Sequence, residues 1–153
     1  ARERVAALAR ELKDAGRIDF GVYSVSANVI DTRGIEFALR SAIETGLTKL
    51  KLDPSEVTLK LDGRLKAPKD FEQESLIHGD ALVPAISLAS VVAKVTRDHY
   101  MSHTADHEYP VYGFKAHKGY GTAAHIHAIR THGLCPLHRR SFLRNIVVDL
   151  PHE

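Results

Sequence analysis

Asp62, in Leu61-Asp62-Gly63, and Asp80, in Gly79-Asp80, are isolated carboxylates 18 residues apart. Downstream, residues 109–148 hold six Lys or Arg and five His but no Asp or Glu. Phosphodiester chemistry needs both kinds of group. Carboxylates hold a hard divalent cation, Mg²⁺ or Mn²⁺, which prefers oxygen ligands and keeps several waters, while a basic stretch holds the polyanion. Each feature also has a plainer use. An Asp before Gly serves a turn, an Asp ahead of a helix serves as a cap, and surface Lys and Arg are ordinary solvated charge. Spacing alone leaves both readings open.

The elements that must position these residues are legible from periodicity. Val57-Thr-Leu-Lys-Leu-Asp-Gly63 alternates, with Val57, Leu59 and Leu61 facing one way, and this strand delivers Asp62 at its C-terminal end, where ligands sit in open α/β sheets. Residues 64–79 read as a loop with room for a short edge strand. Residues 85–98 form a helix rich in small residues, with Pro84 in its first turn, predicted to continue through Tyr100 and Met101 to about Asp106. Asp80 then lies just before that helix, where the dipole favours its ionised form. Upstream, residues 2–14 place Val5, Leu8, Ala9 and Leu12 on one helical face, ended by Gly16. Phe20 to Ser26 alternates like a strand, and Ser26 or Asn28 caps a helix to Thr45 with Gly46 as its stop. Residues 109–113 turn the chain, and Thr122 caps a last helix to about His132, stopped by Gly133.

At 153 residues, without repeats or an interdomain linker, the chain reads as a single domain, 1–153. The net charge of +2 is nearly even along it: residues 1–61 carry ten basic and nine acidic side chains, and the rest eleven and ten. The basic character is therefore confined to the 109–148 window. Cys135 is the only cysteine, which excludes an intramolecular disulfide and a Cys-based zinc site and fits a reducing, cytoplasmic setting. No apolar run approaches the roughly 20 residues of a membrane span, so no membrane partner is expected. The chain opens inside an amphipathic helix with no cap, the pattern expected of a truncated gene product. His99, His103 and His107 follow helical spacing that could bind a transition metal, but without a Cys or clear fourth ligand a solvated face is preferred. His125 and His127, two apart on a helix, do not face each other.

Leu61-Asp62-Gly63, Gly79-Asp80, residues 89–98, Tyr109-Pro-Val-Tyr-Gly113, His117-Lys-Gly-Tyr-Gly-Thr122 and His138-Arg-Arg-Ser-Phe142 follow the order and approximate spacing of ribonuclease HII. The chain resembles that family over roughly residues 2–144, most strongly from 57 onward. The resemblance implies an RNase H-like α/β fold, a mixed sheet flanked by helices with a C-terminal helical segment. It also implies four carboxylates that bind two Mg²⁺ or Mn²⁺ ions, with water attacking the phosphodiester 5′ to a ribonucleotide in an RNA/DNA duplex. By the same resemblance, Asp62 and Asp80 match the third and fourth carboxylates, and Tyr120 matches the tyrosine that packs on the sugar at the ribose-to-deoxyribose junction. Lys118 and Arg139, then Lys94, Arg64, His138 and Ser141, are the implied phosphate partners. Asp98 belongs to an Arg-Asp at the far end of the long helix and is read as structural.

Several departures from the family accompany these matches. The family's first strand carries Asp-Glu-Val-Gly-Arg-Gly with the first two carboxylates, and this sequence has no such segment. The fold is therefore expected to lack N-terminal strands, to hold an incomplete two-ion site and to expose a sheet edge. His78 stands where the family has Lys, and Leu82 where bacterial members often have Lys. The implied partner is an RNA/DNA hybrid or a ribonucleotide-containing DNA duplex, bound by a monomer. The rivals are a nucleic-acid-binding remnant that holds without cutting, and a non-catalytic interaction protein on the same scaffold.

Overall fold

A computed structural model describes residues 1–147. Its elements run α1 (Arg2–Asp14), α2 (Ala27–Arg33), α3 (Ile35–Lys49), β1 (Thr58–Asp62), β2 (Glu72–Leu76), α4 (Gly79–Leu82) and α5 (Pro84–Tyr100). A π-helical turn at Met101–Ala105 follows, then α6 (Asp106–Glu108), a 3₁₀ turn at Pro110–Tyr112, α7 (Phe114–His117), α8 (Ala123–His132), a 3₁₀ turn at Arg140–Phe142 and α9 (Arg144–Val147). The class is α/β, mostly helical with a small parallel sheet. The described residues divide into two compact units, one made of residues 1–25 and 35–96, the other of residues 26–34 and 97–147.

In the first unit β1 pairs with β2 in parallel, with Asp62 opposite Leu76. Register is set by side chains as well as by the ladder. Thr58 Oγ1 donates to Glu72 at 3.0 Å and Lys60 pairs with Glu74, each pair directly opposite in the register. The connection through residues 63–71 is short for a parallel crossover. Gln73 holds it by accepting from the Ala67 N–H at 2.9 Å and donating to the Pro68 carbonyl at 2.9 Å, and Ser75 Oγ donates to the Leu65 carbonyl at 2.6 Å. Ala6, Ala9, Ala38, Phe71, Ile86, Val92 and Val95 are the buried apolar residues of this unit.

Three expectations need correction here. Residues 20–26 form no strand; among the described residues β1 and β2 pair only with each other, and alternation without a ladder partner does not make a strand. The helix expected from Ser26 to Thr45 is broken at Gly34, whose φ of 84° ends α2, while Gly46 is buried inside α3 instead of stopping it. A Cβ at Gly46 would stand 3.3 Å from the Tyr23 ring, so close packing is what that position uses. On α1 the buried residues are Ala6 and Ala9, whereas Val5 and Leu8 are exposed.

The second unit has the better developed core. Met101, Ala105, Tyr112, Phe114, Ala128, Ile129 and Cys135 form it, with Tyr109, Leu134, Leu137, Leu143 and Ile146 packed around. Thr122 caps α8 as expected, accepting from the His125 N–H at 3.3 Å, and Gly133 closes it with a φ of 76°. Asp31 on α2 holds the segment after residue 139, accepting from Arg140 N at 2.8 Å, Ser141 N at 2.9 Å and Ser141 Oγ at 2.5 Å. Those bonds, that to the Ser141 hydroxyl first, hold the Asp31 carboxyl below the usual carboxylate range.

Candidate active site

Parallel pairing with Asp62 opposite Leu76 ends both strands at the same edge, and the chain leaving β2 reaches Asp80 four residues later. His78 makes the turn in a left-handed conformation, φ 56°, uncommon for a residue with a side chain. The next residue explains the tightness. Gly79 is buried, and its N–H donates to Asp62 Oδ1 at 2.9 Å. A Cβ there would lie 2.8 Å from Ile86 Cδ1 and 3.2 Å from Asp62 Oδ1. The Asp62 carboxylate is thus bonded to the residue that precedes Asp80, which brings the two acids to one place.

Both acids are exposed, and Asp80 lies in the first turn of α4, a short helix of its own, not just ahead of the long helix as expected. The break is at Val83, whose extended conformation precedes Pro84, as proline demands of the residue before it. A carboxylate has two oxygens and about four lone-pair sites, so the single N–H bond leaves Asp62 with capacity for a cation. Two hard oxygen donors suit Mg²⁺ or Mn²⁺, which bind through one or two carboxylates and complete their shell with water and phosphate. Among the described residues no three His, Cys, Asp or Glu side chains gather into a metal site, the His99, His103 and His107 row included. His99 and His103 instead stack on each other, centroids 4.1 Å apart, on the exposed face expected for them.

The second unit holds the remaining candidates except Arg64 and Lys94. Arg64 is exposed just after β1, and Lys94 is half-buried on α5. Tyr120 is 54% exposed in the turn between α7 and α8. The Arg97 guanidinium stands 5.7 Å from the centre of the Tyr120 ring and donates to the Lys118 carbonyl at 2.9 Å. Lys118 has φ 55°, and Gly119, φ 80°, leaves room for Met101, whose Cε would be 3.2 Å from a Cβ. The Lys118 ammonium donates to the Lys115 carbonyl, using one of three protons. Arg139 lies over the Phe142 ring at 5.3 Å, and Ser141 is engaged with Asp31.

His138 is where burial overrides the sequence reading. It is 7% exposed, its Nδ1 accepts from the Cys135 N–H at 2.9 Å, and its Nε2 lies 3.0 Å from His125 Nε2. Both nitrogens are engaged inside the core, so the phosphate contact expected of it has no free atom to make it. Burial pushes the His138 imidazole down to about 4, helped by the neighbouring His125. His117 and His125 are buried too, so three of the five histidines in the acid-free window are core groups instead of surface cations. Sequence reasoning passed over Arg97 and His125, because the partners that give them a role lie 21, 13 and 5 residues away with no helical or strand period to relate them.

Comparison with known proteins agrees with this layout. The family model for ribonuclease HII matches residues 2–145. The chain belongs to the ribonuclease HII family. Among relatives, ribonuclease HII of Acidovorax sp. (strain JS42) is 45% identical over 121 residues, 79% of this chain and 56% of that protein. Ribonuclease HII of Dichelobacter nodosus (strain VCS1703A) is 48% identical over 117 residues, 76% and 60%. That of Coxiella burnetii (strain Dugway 5J108-111) is 39% identical over 136 residues, 88% and 66%. The chain spans about half to two thirds of the length of the curated relatives it matches. Membership in this family makes the α/β architecture RNase H-like. No helix among the described residues is long and apolar enough to cross a membrane.

Proposed function

We propose that this chain works in an endonuclease that hydrolyses the RNA strand of RNA/DNA hybrids, cutting 5′ to ribonucleotides, single ones embedded in duplex DNA included. One observation carries the reading. The Gly79 N–H bond to Asp62 gathers two carboxylates at the C-terminal ends of paired parallel strands, in a chain of the ribonuclease HII family. Asp62 and Asp80 would hold Mg²⁺ or Mn²⁺, and two such ions, when bound, supply an activated water and neutralise charge on the reacting phosphate. The chain's own residues do the rest. Asp62 is oriented by the Gly79 N–H, and Asp80 is set by the left-handed turn at His78. Tyr120 offers an exposed ring to the sugar at the junction, where the 2′-hydroxyl separates RNA from DNA. Lys118 and Arg139 neutralise backbone phosphates, with Arg64 and Lys94 as further partners, while Ser141 is held by Asp31 and His138 is held in the core.

The test is Mg²⁺- and Mn²⁺-dependent cleavage of a DNA duplex containing one ribonucleotide, with Asp62→Asn as control. Cutting 5′ to the ribonucleotide, at least about 100-fold slower in the control, is the expected outcome for loss of a metal ligand. Equal rates in both would remove Asp62 from the site. A second reading, a chain that holds the duplex without cutting it, is favoured by the lack of a third metal-ligating side chain beside the two acids among the described residues. Salt-sensitive binding with no cleavage would select it. We read both units as parts of one monomeric domain acting on nucleic acid in the cytoplasm.

A further inference from the structure

Three buried imidazoles, His117, His125 and His138, lie near the turn that carries Tyr120, and the hydrogen bonds of His125 and His138 determine one another. A backbone N–H can only donate, so the Cys135 N–H, 2.9 Å from His138 Nδ1, leaves that nitrogen without a proton. A neutral His138 therefore carries its hydrogen on Nε2 and donates it to His125 Nε2 at 3.0 Å. His125 in turn must carry its hydrogen on Nδ1, which lies 3.0 Å from the Tyr120 carbonyl, an atom that can only accept. A second proton fits on neither ring: on His125 Nε2 it would face the His138 Nε2 hydrogen, and on His138 Nδ1 it would face the Cys135 N–H. His117 is fixed likewise, accepting from Gly119 N at 3.2 Å through Nδ1 and donating through Nε2 to the Tyr112 carbonyl at 2.9 Å. The groups that face the chain of rings are Tyr112, Phe114, His117 and the buried Cys135. Burial holds the His125 imidazole below its ordinary value, which accords with neutral rings.

We infer that His138 and His125 form a positioning relay, running from the Cys135 turn to the Tyr120 carbonyl, that fixes the peptide on which the junction-reading ring is mounted. This rests on the proposed role of Tyr120. The relay reaches a carbonyl that also holds the residue capping α8, since Tyr120 O accepts the Thr122 N–H at 2.8 Å. With the ring itself 54% exposed, its orientation depends on how firmly that peptide is held.

The experiment begins on the unaltered full chain, with ¹⁵N-labelled histidine at about pH 7, where free histidine is largely neutral. Long-range ¹⁵N–¹H spectra are expected to place the His125 hydrogen on Nδ1 and the His138 hydrogen on Nε2. A His125 hydrogen on Nε2, or a charged ring at either site, overturns the relay without any variant having to fold. Binding then separates positioning from bulk structure, using an all-DNA duplex and the same duplex with one ribonucleotide. His125→Leu is expected to lower the preference for the ribonucleotide duplex by about tenfold, the scale of one lost buried hydrogen bond, at unchanged all-DNA affinity. His125→Asn, whose amide nitrogen stands near where Nδ1 was, should restore it. Preference kept in His125→Leu overturns the relay. If Tyr120→Ala leaves the preference intact, the tyrosine reading fails instead, and the backbone amide signals of residues 119–122 judge the relay: they move in His125→Leu and return in His125→Asn, or the relay is wrong.

Discussion

Tyr120 and Lys118 sit two residues apart in one turn, yet their contributions to binding are physically separable. An exposed ring gains by stacking on a sugar or base, which discriminates ribose from deoxyribose only if the ring is at the junction. An ammonium gains by releasing counterions, which is blind to sequence and sugar. Tyr120→Ala should therefore lower cleavage at a single embedded ribonucleotide more than it lowers binding to an all-DNA duplex. Equal losses in both assays would count against a junction role. Lys118→Gln should weaken binding to every duplex alike and flatten the slope of log affinity against log salt by about 1, as one lost phosphate contact requires. An unchanged slope in a salt titration would take Lys118 off the phosphate backbone.

Elements hold these residues through their ends more than through their lengths. Residues 118–122 are gripped by Arg97 from the last turn of α5, by His117 at the end of α7 and by the cap of α8. Thr122 Oγ1 satisfies an otherwise orphaned N–H in the first turn of α8, so Thr122→Ala should cost about 1 kcal/mol in urea unfolding. No change in the unfolding midpoint would mean the helix end is satisfied by water. In the first unit the corresponding device is the Gly79 contact. There the strand end, the left-handed His78 and the absence of a Cβ act together, and α4 starts on the carboxylate that is expected to bind the cation.

Across the whole molecule the buried histidines tie stability to pH. His138 is held at about 4, so it is neutral when folded and takes up a proton on unfolding near pH 5; burial shifts His125 in the same direction. The unfolded chain then binds more protons than the folded one. Stability from His138 is full above about pH 6.5, the unfolded value, and is lost as pH falls toward 4, with His125 adding to the loss in the same direction. Thermal unfolding should therefore move to lower temperature between pH 6.5 and about 4, and His138→Gln should flatten that dependence. A His138→Gln chain with an unaltered pH slope would show that other groups set it. The same burial leaves only His127 and His132 exposed among the five histidines of the acid-free window, so the proposed hold on a polyanion rests on fewer side chains than composition suggests.

What the sequence determined by itself was everything set by local chemistry or short-range order. The alternation of β1, the Thr122 cap, the Gly133 stop, Pro84 at the start of the long helix and the six motifs of the family all lie within a few neighbouring residues. Their physics needs no distant partner. Only the tertiary structure decided what depended on such a partner. Residues 20–26 have strand alternation but, among the described residues, no strand to pair with, and Gly46 has a stop signal but a tyrosine ring to accommodate. His138 has the composition of a phosphate ligand but the burial and hydrogen bonds of a core residue. Pairing, close packing and desolvation are properties of what lies across space, and they chose among uses that each residue type had left open.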